Sequence, residues 1–119
     1  MYHPVITDVQ GLEISADERA LFNEFRPYGF ILFQRNCDTP EQVKALTDEM
    51  REIIGHDEAP ILIDQEGGRV QRLRPPHWQE YATGQMLGKL WQNDKKLGEE
   101  IIYAHSRLIA HDLSALGIN

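Results

Sequence analysis

Asp64, Gly67, Gly68, Arg69 and Arg72 fall within a single stretch of nine residues. Together they offer a carboxylate that accepts hydrogen bonds, a backbone free to turn tightly, and two guanidinium groups that donate. Such a set suits a polar ligand rich in hydroxyl groups. The residues just before it, Ile61-Leu62-Ile63, form a continuous apolar run of the kind that buried parallel strands show. An aspartate at the end of such a strand stands on the rim of a sheet or barrel, where α/β proteins place their chemistry.

The elements that must hold this set in place alternate along the chain. Val5–Val9 reads as a first strand. Ser15-Ala16-Asp17-Glu18 has capping-box spacing for a helix that runs to about Arg26, before Pro27. Gly29–Phe33 is a second buried strand, ended by Gln34-Arg35-Asn36. Thr39-Pro40-Glu41-Gln42 starts another helix, with Val43, Leu46, Met50, Ile53 and Ile54 on its apolar face and Gly55 as its stop. Pro60–Asp64 is the third strand, followed by a long polar loop from about Gln65 to Thr83. Met86–Trp91 reads as a short helix, and Asp94 caps a long one through Leu116, closed by Gly117. Strand starts lie roughly 25–30 residues apart, the size of a βα unit, and this alternation predicts a parallel sheet. Three such units leave strand edges and helix faces uncovered.

Composition narrows the class. The chain has 119 residues, 41% hydrophobic and 26% charged, which fits one globular domain and not a disordered segment. Twelve basic against nineteen acidic residues give a formal charge of −7, which argues against nonspecific nucleic-acid binding. The one cysteine, Cys37, has no internal disulfide partner. Met1-Tyr2-His3-Pro4 does not begin a secretory signal, and no segment approaches a membrane span. A cytoplasmic address is expected by default.

Gly29-Phe30-Ile31-Leu32-Phe33-Gln34-Arg35-Asn36, followed about thirty residues later by Ile63-Asp64-Gln65-Glu66-Gly67-Gly68-Arg69-Val70-Gln71-Arg72-Leu73, resembles the bacterial β-N-acetylhexosaminidases of glycoside hydrolase family 3. The resemblance extends over essentially the whole chain. It implies a (β/α)8 barrel of which residues 1–119 are the N-terminal fragment, about three βα units. It also implies removal of terminal N-acetylglucosamine with retention, in peptidoglycan recycling. Asp64 is similar to an aspartate that binds hydroxyls of the terminal sugar, and Arg72 to an arginine that also contacts substrate. No histidine or aspartate here matches the family's acid/base or nucleophile. A barrel of this type needs about 250 residues, so the chain alone is expected to be inactive. No cofactor and no metal are expected; the expected partners are an N-acetylglucosamine-containing saccharide, the remainder of the barrel, or a second copy. The alternative is a non-catalytic sugar-binding or self-associating α/β module.

The neighbouring residues have plainer readings. Glu66 could be a general acid, but beside a glycine pair it is expected to hold loop backbone or to pair with Arg69. Gly67-Gly68 lacks both phosphate-loop patterns, so tight turning explains it and a small phosphate-binding domain is a distant reading. Arg35 and Asn36 are expected at the same rim, orienting the Asp64 loop or touching sugar. Trp78 and Tyr81 could stack on a sugar, with core or loop packing the simpler reading. His105 and His111 are six apart, not the four of a helical zinc pair. Cys37 is read as inert.

Overall fold

The computed structural model describes residues 1–119. The chain order is β1 (His3–Thr7), α1 (Ala16–Glu24), β2 (Pro27–Leu32), a single 3-10 turn (Gln34–Asn36), α2 (Pro40–Ile54), β3 (Ile61–Ile63), β4 (Gln65–Gly67), β5 (Val70–Gln71), α3 (Gly84–Asn93) and α4 (Lys95–Ala115). The first three strands form a parallel sheet in sequence order with β2 in the centre. Phe30 pairs with Ile61 and Leu32 with Ile63. The expected alternation of strand and helix is thus present as a parallel sheet.

The two connecting helices begin as their sequences dictate. Ser15 Oγ accepts from the Glu18 amide at 3.3 Å while Glu18 returns a bond to the Ser15 amide at 2.9 Å, so two amides that α1 cannot pair internally are satisfied. Thr39 caps α2 ahead of Pro40, and Gly55 ends it with φ 75°, a left-handed conformation that glycine adopts without Cβ strain. The apolar face of α2 is the expected one: Val43, Leu46, Met50, Ile53 and Ile54 are buried with Phe30, Leu32 and Ile61 in one core. Burying each of these larger side chains contributes about 1.5–3 kcal/mol. Phe22 of α1 meets Phe30 edge to face at 5.1 Å.

The sheet is covered on this side. Residues that point the other way, Ile6, Ile31 and Leu62, are exposed or half-exposed. The molecule measures 53 × 30 × 20 Å, with a radius of gyration of 16.5 Å against roughly 13.5 Å for a compact domain of this length. The elongation comes from α3 and α4, which pack on each other and leave Leu97, Ile101, Tyr103 and Leu108 exposed. The far end of α4 is anchored. Leu116 and Ile118 enter the core, Thr47 Oγ1 donates to the Leu116 carbonyl at 2.6 Å, and the Asn119 amide donates to the Ile61 carbonyl at 3.3 Å.

Several boundaries differ from expectation. β1 lies two residues early because Val9 leaves the strand and turns into the core, where it is 1% exposed. β2 also begins earlier, at Pro27, and α1 stops at Glu24. Thr83 caps α3, its side chain accepting from the Met86 amide, which lengthens that helix to Gly84–Asn93. The expected polar loop after β3 contains an antiparallel hairpin, β4 and β5.

Candidate functional site

Asp64 follows β3 directly, at the carboxyl end of the parallel sheet. It leaves the strand with its side chain 42% exposed. The hairpin then returns the chain alongside it. The Arg72 amide donates to the Asp64 carbonyl at 3.3 Å, and the Arg72 guanidinium donates to Asp64 Oδ2 at 3.1 Å. The two residues singled out in the sequence are therefore in contact, tied by backbone and by side chain. Oδ1 of Asp64 takes no hydrogen bond from the protein, and the buried Nε of Arg72 has no protein acceptor. A carboxylate with a free acceptor oxygen, beside a guanidinium with donors to spare, matches the needs of a vicinal diol or amide.

The return of the chain depends on glycine. Gly67 and Gly68 have φ of 91° and 63°. A Cβ at Gly67 would stand 2.2 Å from the Ala82 carbonyl oxygen, and one at Gly68 would stand 2.4 Å from Thr83 Cγ2. Tight turning is thus their observed role.

Two glutamines fix the rest. Gln65 is 8% and Gln71 1% exposed. Gln65 Oε1 accepts from the Arg72 and Leu73 amides, both at 3.0 Å, and its Nε2 donates to the Leu73 carbonyl. Gln71 Oε1 accepts from the Tyr81 amide, and its Nε2 donates to the Leu73 and Gln79 carbonyls. Each buried amide replaces the ladder bonds that an irregular segment would otherwise leave unmade. Sequence reasoning missed both residues. The signal was the pair of glycines flanked by alternating positions, a hairpin pattern masked by glutamines where a strand usually carries β-branched residues.

Other expectations need correction. Glu66 and Arg69 are both exposed, and no ion pair joins them; Arg69 instead offers its carbonyl to Arg74 at 2.9 Å. Arg35 and Asn36 do stand beyond the carboxyl end of β2, but they bond to the segment after β1. Arg35 pairs with Asp8, and Asn36 donates to the Val9 and Gly11 carbonyls. Neither bonds to the Asp64 loop. Trp78 and Tyr81 are buried, 9% and 6% exposed, in keeping with the packing reading. The Tyr81 hydroxyl donates to Asp112 of α4; burial, then this carboxylate, push the phenol up from its ordinary value.

Four of the five histidines meet aromatic rings elsewhere. His3 stacks on Phe25, His56 meets Tyr2, His77 meets Trp78 and His105 meets Tyr81. No group of three or more His, Cys, Asp or Glu side chains could hold a metal ion. Burial pushes the Cys37 thiol up to about 11, so it is protonated at neutral pH, as an inert cysteine should be.

No family model matches the chain. Individual proteins do. A protein of Psychromonas ingrahamii named Beta-hexosaminidase is 36% identical over 116 residues, 98% of this chain and 33% of that protein. One of the same name from Bordetella pertussis is 36% identical over 118 residues. Among solved structures, NagZ from Neisseria gonorrhoeae in complex with N-trifluoroacetyl-D-glucosamine superposes with a TM-score of 0.89 at 31% identity, over 98% of this chain and 34% of that one. A glycoside hydrolase family 3 β-N-acetylglucosaminidase from Paenibacillus sp. gives 0.80 at 35% identity, over 96% of this chain and 21% of that one. The chain spans about a third of the length of the curated relatives it matches.

Proposed function

The chain belongs to the glycoside hydrolase family 3 β-hexosaminidases, over a third of their length, and from that premise we propose that it carries their grip on a terminal N-acetylglucosamine. Asp64 accepts hydrogen bonds from sugar hydroxyls through its free Oδ1. Arg72 holds the carboxylate in place and donates to the same sugar. The observation that carries this reading is the Asp64–Arg72 contact at 3.1 Å, held at the carboxyl end of the parallel sheet by two buried glutamines. A solved relative that binds an N-acetylglucosamine analogue supports the choice of sugar.

In the proposed whole protein these residues are the opening units of a (β/α)8 barrel acting in cytoplasmic peptidoglycan recycling. The 119-residue chain binds but does not turn over. Retaining hydrolysis needs a nucleophile and an acid/base placed about the anomeric carbon. Asp64 is committed to Arg72, and four of the five histidines are packed against other aromatic rings. Purified chain mixed with a chromogenic N-acetylglucosaminide is expected to bind it and to release no chromophore above an Asp64→Asn control. Turnover that survives in the wild-type chain and vanishes in that control would overturn the reading.

A second reading, self-association, rests on surface. The chain exposes 7631 Å². A folded monomer of this mass exposes roughly 6,600 Å². The excess is comparable to one side of a standard interface, about 800 Å². Ile6, Leu62, Leu97 and Ile101 are among the exposed apolar residues. Light scattering at increasing concentration would read a dimer; a monomer at every concentration would remove this reading.

A further inference from the structure

Phe33 sits one residue beyond β2, still in extended conformation, with φ −115° and ψ 173°. Extended backbone continues the alternation of the strand, so Phe33 points to the same side as Ile31, away from the helices. Its ring meets two guanidinium groups. The Arg35 carbon lies 4.9 Å and the Arg72 carbon 5.9 Å from its centroid. Each arginine is also ion-paired, Arg35 with Asp8 after β1 and Arg72 with Asp64 after β3. A line of alternating groups therefore crosses the carboxyl ends of all three parallel strands: Asp8, Arg35, Phe33, Arg72, Asp64.

We propose that Phe33 is a positioning residue for the sugar site: its ring, shared by Arg35 and Arg72, fixes where Arg72 presents its donors beside Asp64. The inference rests on the sugar-binding reading above. The Arg72 side chain has four rotatable bonds, and one carboxylate contact at 3.1 Å leaves the guanidinium plane free to rotate about it. A ring within about 6 Å attracts the cation electrostatically and restricts that rotation. Ordering the guanidinium before sugar arrives removes part of the entropy that binding would otherwise have to overcome. Arg35 contributes from a distance, by holding the ring from the neighbouring loop.

Two readouts on the 119-residue chain separate positioning from binding. The first needs no ligand: the Nε–H of Arg72, buried and without a protein acceptor, gives an NMR signal sensitive to the ring current. It is expected to shift in Phe33→Leu, to stay close to wild type in Phe33→Tyr, and to move part of the way in Arg35→Ala, which keeps the ring but removes one of the groups that hold it. The second is the Kd for N-acetylglucosamine, expected to rise about three- to tenfold in Phe33→Leu and to recover in Phe33→Tyr. Arg35→Ala should weaken binding about twofold in the wild-type background and not at all on top of Phe33→Leu, the coupling expected of two residues acting through one. An Arg72 signal unmoved by both substitutions, or a Kd indifferent to Phe33 while Asp64→Asn abolishes binding, would overturn the proposal. If wild-type chain binds no sugar, the sugar-binding reading fails, and the Arg72 signal still decides whether Phe33 positions it.

Discussion

The segment from Gln65 to Thr83 and the helical pair α3–α4 follow one another in the chain and are held in opposite ways. The first is mostly irregular, with two short strands, yet its backbone is bonded at many points to side chains of its own, above all Gln65 and Gln71. The second is regular through almost its whole length, yet Leu97, Ile101, Tyr103 and Leu108 remain 38–66% exposed. Regular hydrogen bonding makes a helix, but it does not anchor it. Anchorage comes from burial or from side chains that bridge elements, and the candidate sugar site lies in the region that has it.

The sharpest way to break this contrast is to remove one amide from the first region. Gln71→Ala would leave the Tyr81 amide and the Gln79 carbonyl without the partner they now have, at a cost of about 3 kcal/mol. Leu108→Ala, in the middle of exposed α4, should change stability by less than about 0.5 kcal/mol. Urea midpoints of the two variants measure both; equal losses would erase the distinction.

Below the rim, Cys37 donates weakly to the Phe33 carbonyl at 3.4 Å and is largely withdrawn from water. With its thiol raised from 9.0 to about 11, the thiolate fraction at pH 8 falls roughly a hundredfold, and alkylation should slow accordingly. Reaction at the rate of a free thiol would mean that the rim opens readily.

Hydrogen exchange sharpens the comparison residue by residue. The amides of Leu73 and Tyr81, bonded to buried glutamines, should exchange at least about tenfold more slowly than those of residues 99–106 in α4, since local opening tracks the burial that opening must undo. Equal protection would show α4 to be as well anchored as the hairpin.

The smallest effect belongs to α1, a regular helix secured by a side chain. Burial opposes ionisation of Glu18, but hydrogen bonds from the Ser15 and Gln10 amides and the Ser15 hydroxyl outweigh it and hold the carboxyl below its ordinary value of 4.5. A depressed folded value means that the contribution is complete above the unfolded value and is lost as pH falls through the folded one. Glu18→Gln should lower the neutral plateau slightly and flatten the acid limb below about pH 4.5, so that the two curves converge in acid. An acid limb identical to wild type would remove Glu18 from the account.

How much of this was legible in the sequence follows the same division. Strand and helix order, the Ser15 and Thr39 caps, the α2 face and the Gly55 and Gly117 stops were readable because they depend on neighbours a few residues apart. So was the position of Asp64 at a strand end. The Asp64–Arg72 contact itself was not, because it needs the hairpin, and the hairpin hides behind Gln65 and Gln71, whose purpose appears only once their partners are in place. The Arg35–Asp8 pair was missed for a related reason: it spans 27 residues, and only the parallel pairing of β1 with β2 brings the two loops together. The exposed apolar side of the parallel sheet was legible only as an arithmetic of too few strands.

The central claim is that Asp64 and Arg72 together grip a terminal N-acetylglucosamine. Titrating the isotopically labelled chain with N-acetylglucosamine and following its amide and Arg72 side-chain signals tests it most directly. Saturable shifts centred on Asp64, Gly68 and Arg72, abolished by Asp64→Asn in a chain that remains folded, are the predicted result. Shifts that never saturate, or saturable shifts that survive Asp64→Asn unchanged, would contradict it.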